Sequence, residues 1–451
     1  MNNSSQKIGI SSGITLVIAN MIGTGVFTSL GFQLLSTTNP VSIALIWIIG
    51  GITALCGALV YSELATVMPR SGGEYAYLSA IYHPLAGFLS GWASLIVGFS
   101  SPIALSCMAL SSYVCNIYPA IHPQWLGLGV LTVITLFHAF DARVGTNMQN
   151  LLTAVKVLII LVFIVFGLFS APDGAANYDC VSSFSSSDVL SAGFAISLIW
   201  VYYAYSGWNA AAYITNEIRH PQRNIPLIML GGTMFVMLLY LVLNLVFMRT
   251  TPVDEMAGQI EIGLISARHI FGVNGGEIMG ILIALMLTSN ISSMVFIGPR
   301  VSAVMGEDHQ IFRWLTRRNQ RGCPTIAMAV QWIICALMII TGAFQQITEY
   351  TGVILSICSL MTVAGLFVHR HRHPEVHRPY RVPFYPWPAV IFCIVIIWAI
   401  TYMLYSDYQQ TYVTHEQTYP WTILSSSVTL LVGVLLYGLT RYLQRKNNCN
   451  A

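Results

Sequence analysis

Twelve apolar stretches, each near the roughly 20 residues that cross a bilayer as a helix, leave this chain little choice of fold. Their limits read as Ile8 to Leu35, Val41 to Val67, Leu85 to Ile117, Trp125 to Phe140, Met148 to Phe169 and Val189 to Ile214. The second six are Ile225 to Phe247, Ile278 to Ile297, Pro324 to Thr341, Tyr350 to Val368, Trp387 to Leu404 and Pro420 to Tyr442. Backbone N–H and C=O groups find no water in lipid, so such stretches must satisfy their polar groups internally as helices. With 55% hydrophobic and only 8% charged residues in 451, the chain cannot cover itself in water. The expectation is an all-α integral membrane protein: one polytopic domain over residues 1–444 and a short cytoplasmic tail at 445–451.

Positive charge sets the orientation, because short loops rich in Lys and Arg stay cytoplasmic. With the N-terminus inside, Lys7, Arg70, Arg143, Arg219, Arg223, Arg300, Arg313, Arg317, Arg318, Arg321, Arg370, Arg372, Arg378, Arg381, Arg441, Arg445 and Lys446 fall inside. Only Arg249 and Arg268 fall outside, and Lys156 sits within a span. Both termini are therefore expected in the cytoplasm, in a multi-pass protein of the cell membrane. The net charge of +3 carries no indication of nucleic acid. Residues Met1 to Gly13 lack the pattern of a cleaved leader, so the first span is expected to serve as the insertion signal.

No catalytic or cofactor apparatus is visible. The spans carry no HExxH, GxSxG or Walker loop, which argues against an enzyme. The nine cysteines lie mostly in apolar runs without metal or disulfide spacing. His369-Arg370-His371-Arg372-His373 reads as an inside-positive loop in preference to a metal site. No metal or cofactor is expected.

Two spans are interrupted near their middles. The first carries Gly23-Thr24-Gly25 inside "ANMIGTGVF", where glycine lets the backbone leave the helix and a ligand approach. One helix half ends in free carbonyls around Met21 and Ile22, and the next begins with free N–H groups around Thr24 and Gly25. A zwitterionic amino acid offers the complementary ammonium and carboxylate. The sixth span repeats the device at Ser206-Gly207 inside "YYAYSGWNAAAYITNE", and it starts outside where the first starts inside. Interrupted spans at matching places in halves of opposite orientation point to an inverted-repeat transporter with its substrate at the midplane. The repeats would span residues 8–169 and 189–368, with two additional helices over 387–442. Close helix packing is the competing reading of either glycine pair alone.

Lys156, in "NMQNLLTAVKVLIILVF", is an ionisable residue within a span and so a functional candidate by default. Its candidate partners are carbonyls of the broken first helix and the hydroxyls of Ser289, Ser292 and Ser293. There an ammonium would stand in for a bound cation and make sodium unnecessary. The competing reading is snorkelling to the inner interface. Glu63 and Glu74, in "ELATVMPRSGGEYAYL", are read as capping and gating groups working with Arg70; a proton-carrying carboxylate is the alternative.

At these residues the chain resembles the amino acid, polyamine and organocation transporter superfamily, and within it the L-type amino acid transporter group. The likeness runs through "MIGTGVF", "YSELATVMPRSGGEYAYL", "NMQNLLTAVK", "YAYSGWNAAAYITNEIRHPQRNIP" and "HRHPEVHRPYRVPFYPWP", in order. It implies a LeuT-type fold of two five-helix repeats plus two C-terminal helices, and sodium-independent exchange or facilitated transport of amino acids. By position, it implies that carbonyls of Met21, Tyr203, Ala204 and Ser206 face the substrate ammonium. The amides of Thr24 and Gly25 and the Thr24 hydroxyl would face the carboxylate. Tyr203, with Trp208, would close over substrate as a gate, Asn209 would link the two broken helices, and Lys156 would take the place of a sodium ion. Relatives that accept dibasic amino acids place an aspartate at Ser206, so small neutral amino acids are the expected substrates here. The segment "CNIYPAIHPQW" does not match the one through which animal members bond to a heavy chain, and no obligatory heavy-chain partner is expected. A proton-coupled symporter and a non-transporting amino acid sensor remain as alternatives; a sensor would be expected to append a signalling domain to tails that are short here.

Overall fold

The computed structural model describes residues 8–70, 72–140, 146–170, 173, 184–320 and 322–449. Lys7, Arg143 and Arg321 of the charge count lie outside them. The described residues form helices and no strand: α1 (Ile10–Met21), α2 (Gly25–Gln33), α3 (Pro40–Val67), α4 (Glu74–Ile81), α5 (Pro84–Ala93), α6 (Ser100–Ile117), α7 (Pro123–Phe140), α8 (Thr146–Phe169) and α9 (Ala192–Tyr205). There follow α10 (Ala210–Tyr213), α11 (Pro221–Thr250), α12 (Val253–Met256), α13 (Ile262–Asp308), α14 (Thr325–Thr341), α15 (Phe344–Arg372), α16 (Trp387–Tyr412) and α17 (Trp421–Cys449). Among the described residues ten spans are long and apolar enough to cross a membrane, and the shorter apolar helices α9 and α14 occupy the places of the sixth and ninth expected runs.

Local chemistry fixes where these helices start. Asn39 caps α3 by accepting from Val41 N, with Pro40 in the first turn where its missing N–H costs nothing. His83 and Pro84 do the same for α5, and the Ser191 side chain caps α9. The 47-residue α13 is about 70 Å of helix, more than twice the hydrocarbon thickness of a bilayer. Gly272, at φ 72°, breaks it into a short N-terminal piece and the spanning helix that contains the expected Ile278 to Ile297. The final helix runs to Cys449, so most of the expected tail is a helical continuation; Asn450 and Ala451 lie outside the described residues.

The interrupted pairs α1/α2 and α9/α10 pack on each other at the centre, where α1 meets α10 and α2 meets α9. Helices α3, α8, α11, α13 and α15 surround them. The additional helix α16 packs on α3 and α9, and α17 on α15 and α5.

Candidate functional site

Helix α1 stops at Met21, and residues 22–24 bend before α2 resumes at Gly25. The Met21 carbonyl freed by the break accepts from Tyr240 Oη at 2.6 Å. Thr24 Oγ1 and Tyr203 Oη are 2.9 Å apart and share a hydrogen bond between the two interrupted spans. A Cβ placed on Gly25 would lie 2.4 Å from Ala204 Cα, so here glycine permits backbone-to-backbone approach. The Cβ direction at Gly25 is thus taken by Ala204, while Gly25 itself still borders the cavity.

The second break has different geometry. Helix α9 ends at Tyr205, Ser206 is extended, and Gly207 turns through φ +101°, a region that favours glycine. A Cβ there would lie 2.8 Å from the Asn20 carbonyl group, so each break inserts a glycine against the other's backbone. Asn209 Nδ2 donates to Glu74 Oε1 at 3.2 Å. The expected link from Asn209 to the first broken helix is thus replaced by one to α4, because the carboxylate of Glu74 stands beside it.

Both breaks open on one cavity of about 190 Å³, walled by Met21, Gly23, Thr24, Gly25, Tyr203, Ala204, Ser206, Trp208 and Asn209 among the expected residues. That is space for roughly six waters or one small amino acid. Ile22 is the exception, 1% exposed and packed in the core. The cavity continues past Leu16 and Asn20 of α1, Tyr213 of α10, and Glu74 and Ser359, toward the end of the bundle where α1 begins. Phe32, at the far end of α2 from the break, stacks on Trp200 at 4.6 Å and on Phe344 at 5.8 Å. Trp208, expected as a gate, is 1% exposed, its ring 4.7 Å from that of Tyr61 and wedged against Gly57.

Lys156 is 2% exposed, which removes the snorkelling reading, and its Nζ has no hydrogen-bond partner among the described residues. Ser289 Oγ is likewise buried without one. The other expected partners are engaged elsewhere: Ser292 Oγ with His138 Nε2 at 2.7 Å, and Ser293 Oγ with the Ser289 carbonyl at 3.0 Å. The acids also differ from expectation. Arg70 lies 3.4 Å from Asp308 at the surface. Glu63 is fully buried, holding Arg370 through two hydrogen bonds of 2.8 and 2.5 Å and accepting from Val382 N at 2.7 Å, with Arg378 Nε 3.4 Å away. Buried carboxylates persist when paired this way, and neither acid works with Arg70.

Three features at or beside the breaks are absent from the expected site. Asn290 brings Nδ2 to 3.1 Å from where a Gly23 side chain would start. Tyr240 caps the first break. A wide π turn, Ser94–Phe99, interrupts the third span beside the cavity, with Ser100 Oγ donating to Leu95 O at 2.8 Å. Pro102, which lacks an N–H and so relaxes the preceding turn, was the available signal. Among the described residues no cluster of His, Cys, Asp or Glu could hold a metal.

The amino acid permease family model matches residues 8–429. The b(0,+)-type amino acid transporter 1 of Homo sapiens is 31% identical over 389 residues, 84% of this chain and 79% of its own. Its Mus musculus counterpart is 29% identical over 404 residues, 87% and 82%. The large neutral amino acids transporter small subunit 2 of Mus musculus is 26% identical over 460 aligned positions, 98% and 82%. A match of that extent, on a bundle whose interrupted spans meet at a cavity, assigns the chain to the amino acid permease family, in the L-type group of the amino acid, polyamine and organocation superfamily: it is a multi-pass membrane transporter of amino acids with a LeuT-type fold, and not an enzyme.

Proposed function

We propose that the chain exchanges small neutral amino acids across the cell membrane by sodium-independent alternating access, with both termini cytoplasmic. The observation that carries this reading is that both breaks open on one cavity of amino-acid size with no charged side chain in either broken segment. The ammonium is read by carbonyls of Met21, Tyr203, Ala204 and Ser206, and the carboxylate by the amides of Thr24 and Gly25 with the Thr24 hydroxyl. Tyr203, in the cavity wall, closes over the substrate as a gate. Lys156, buried with a free Nζ among the described residues, supplies the charge that a sodium ion would otherwise bring. One relative's name marks it as a small subunit; this chain is proposed to work alone.

A proton-coupled symporter is the second reading, favoured by Glu74 in the cavity wall. Glu63 drops out of it, since its carboxylate is held between Arg370 and Arg378. Purified protein in liposomes loaded with unlabelled alanine separates the two. Exchange requires the internal amino acid and survives replacement of sodium by choline. Symport requires a pH gradient and no internal substrate. Strict sodium dependence sinks both.

A further inference from the structure

Helix α10 has four residues, too few to be stable alone, so its position is imposed by its neighbours. Both of its ends are held by one tripeptide. At its start, Asn209 Nδ2 donates to Glu74 Oε1 at 3.2 Å. At its end, the Tyr213 carbonyl accepts from Gly72 N at 3.3 Å, and the Tyr213 ring lies 2.7 Å from where a Gly73 side chain would begin. Gly72 and Gly73 adopt φ of +122° and +53°, conformations that bring this loop so close without a Cβ in the way. Glu74 is itself anchored, its Oε1 also accepting from Tyr61 of α3 at 2.6 Å and Ser359 of α15 at 3.0 Å. Donors from three separate elements converge on one oxygen of a residue 4% exposed.

We propose that Gly72-Gly73-Glu74 is a clasp that sets α10 at the inner mouth of the cavity, and that Glu74 is a positioning residue acting on substrate through Asn209. The inference rests on the exchange reading above, because it assigns Glu74 a fixed accepting role where symport would have it carry a proton.

The test is exchange of labelled alanine in proteoliposomes by wild type, Glu74→Ala, Glu74→Gln, Asn209→Ala and the Glu74→Ala/Asn209→Ala double variant. Each alanine variant is expected to raise KM about tenfold, and the double variant to be within about twofold of either single one, since both break one connection. Glu74→Gln, which keeps an accepting oxygen, is expected within about threefold of wild type. Additive losses, or a glutamine variant as poor as alanine, overturn the proposal. So does a Glu74→Gln change confined to inhibition by arginine, which would make the carboxylate a counter-charge for substrate. Should Glu74→Ala fail to fold, Tyr61→Phe and Ser359→Ala each remove one anchoring donor and are expected to raise KM by about two- to threefold; unchanged kinetics in both overturn the clasp. Wild type that does not exchange alanine sinks the exchange reading, whereas wild-type exchange with unaffected variants sinks only this one.

Discussion

The two breaks occupy matching places in the two halves yet are held by different physics. At the first, Met21, Thr24 and Gly25 are buried, the free carbonyl is capped by Tyr240, and Gly25 is pressed onto Ala204. Steric fit holds it. At the second, Ser206, Gly207 and Asn209 are half-buried against the cavity, and Asn209 joins the polar cluster on Glu74. The lesson is that an interruption repeated in both halves need not tolerate the same changes in each. Added atoms should damage the first break most, and altered charge the second.

The sharpest way to break this comparison is Gly25→Val. Its Cβ would sit within 2.6 Å of both Ala204 Cα and Ala204 Cβ, so exchange should fall by two orders of magnitude or more in protein that still inserts. Ala204→Gly, which removes one of those two clashes, should partly rescue Gly25→Ala. Retained alanine affinity in well-expressed Gly25→Val would show that the first break is not sterically held. Next comes Lys156→Ala. It removes a buried ammonium whose insertion costs about 2.5 to 3.5 kcal/mol at a span centre, so membrane insertion should survive while choline-supported exchange drops at least about tenfold. Wild-type rates in that variant would deny the lysine any part in the cycle.

At the second break, Ser206→Asp places a carboxylate against the cavity and should let arginine or lysine compete about tenfold better while weakening alanine exchange. In the wild type a cationic side chain would enter without a counter-charge in either broken segment. Arginine inhibiting wild type as strongly as leucine would count against the assignment of neutral substrates. The smallest effect belongs to the contact between the breaks: Tyr203→Phe loses one hydrogen bond to Thr24, worth about 1 kcal/mol, and should change the alanine KM by about fivefold. A hundredfold loss would mean that the hydroxyl touches substrate.

The membrane spans and both interruptions were legible because they follow from local rules: apolar length, and glycine where a helix must open. The positions of Tyr203, Ser206 and Asn209 around a cavity were legible through spacing and family likeness together. What sequence could not give was the pairing of polar groups over long separations. Glu63 meets Arg370 and Arg378 rather than nearby Arg70, and Ser292 meets His138. Such partners are selected by helix packing, which brings together residues hundreds of positions apart. The π turn at Ser94–Phe99 was missed for a related reason, since one wide turn leaves the apolar pattern of a span intact.

The stack of Phe32 on Trp200 and Phe344, at the end of α2 away from the break, is made of rings that carry no charge. A membrane potential does about 2.3 kcal/mol of work per 100 mV on each elementary charge moved through it, and parting three neutral rings moves none. A zwitterion crossing behind them is neutral as a whole. For such cargo the voltage has nothing to pull on, and which amino acid enters and which leaves follows their concentrations on the two sides.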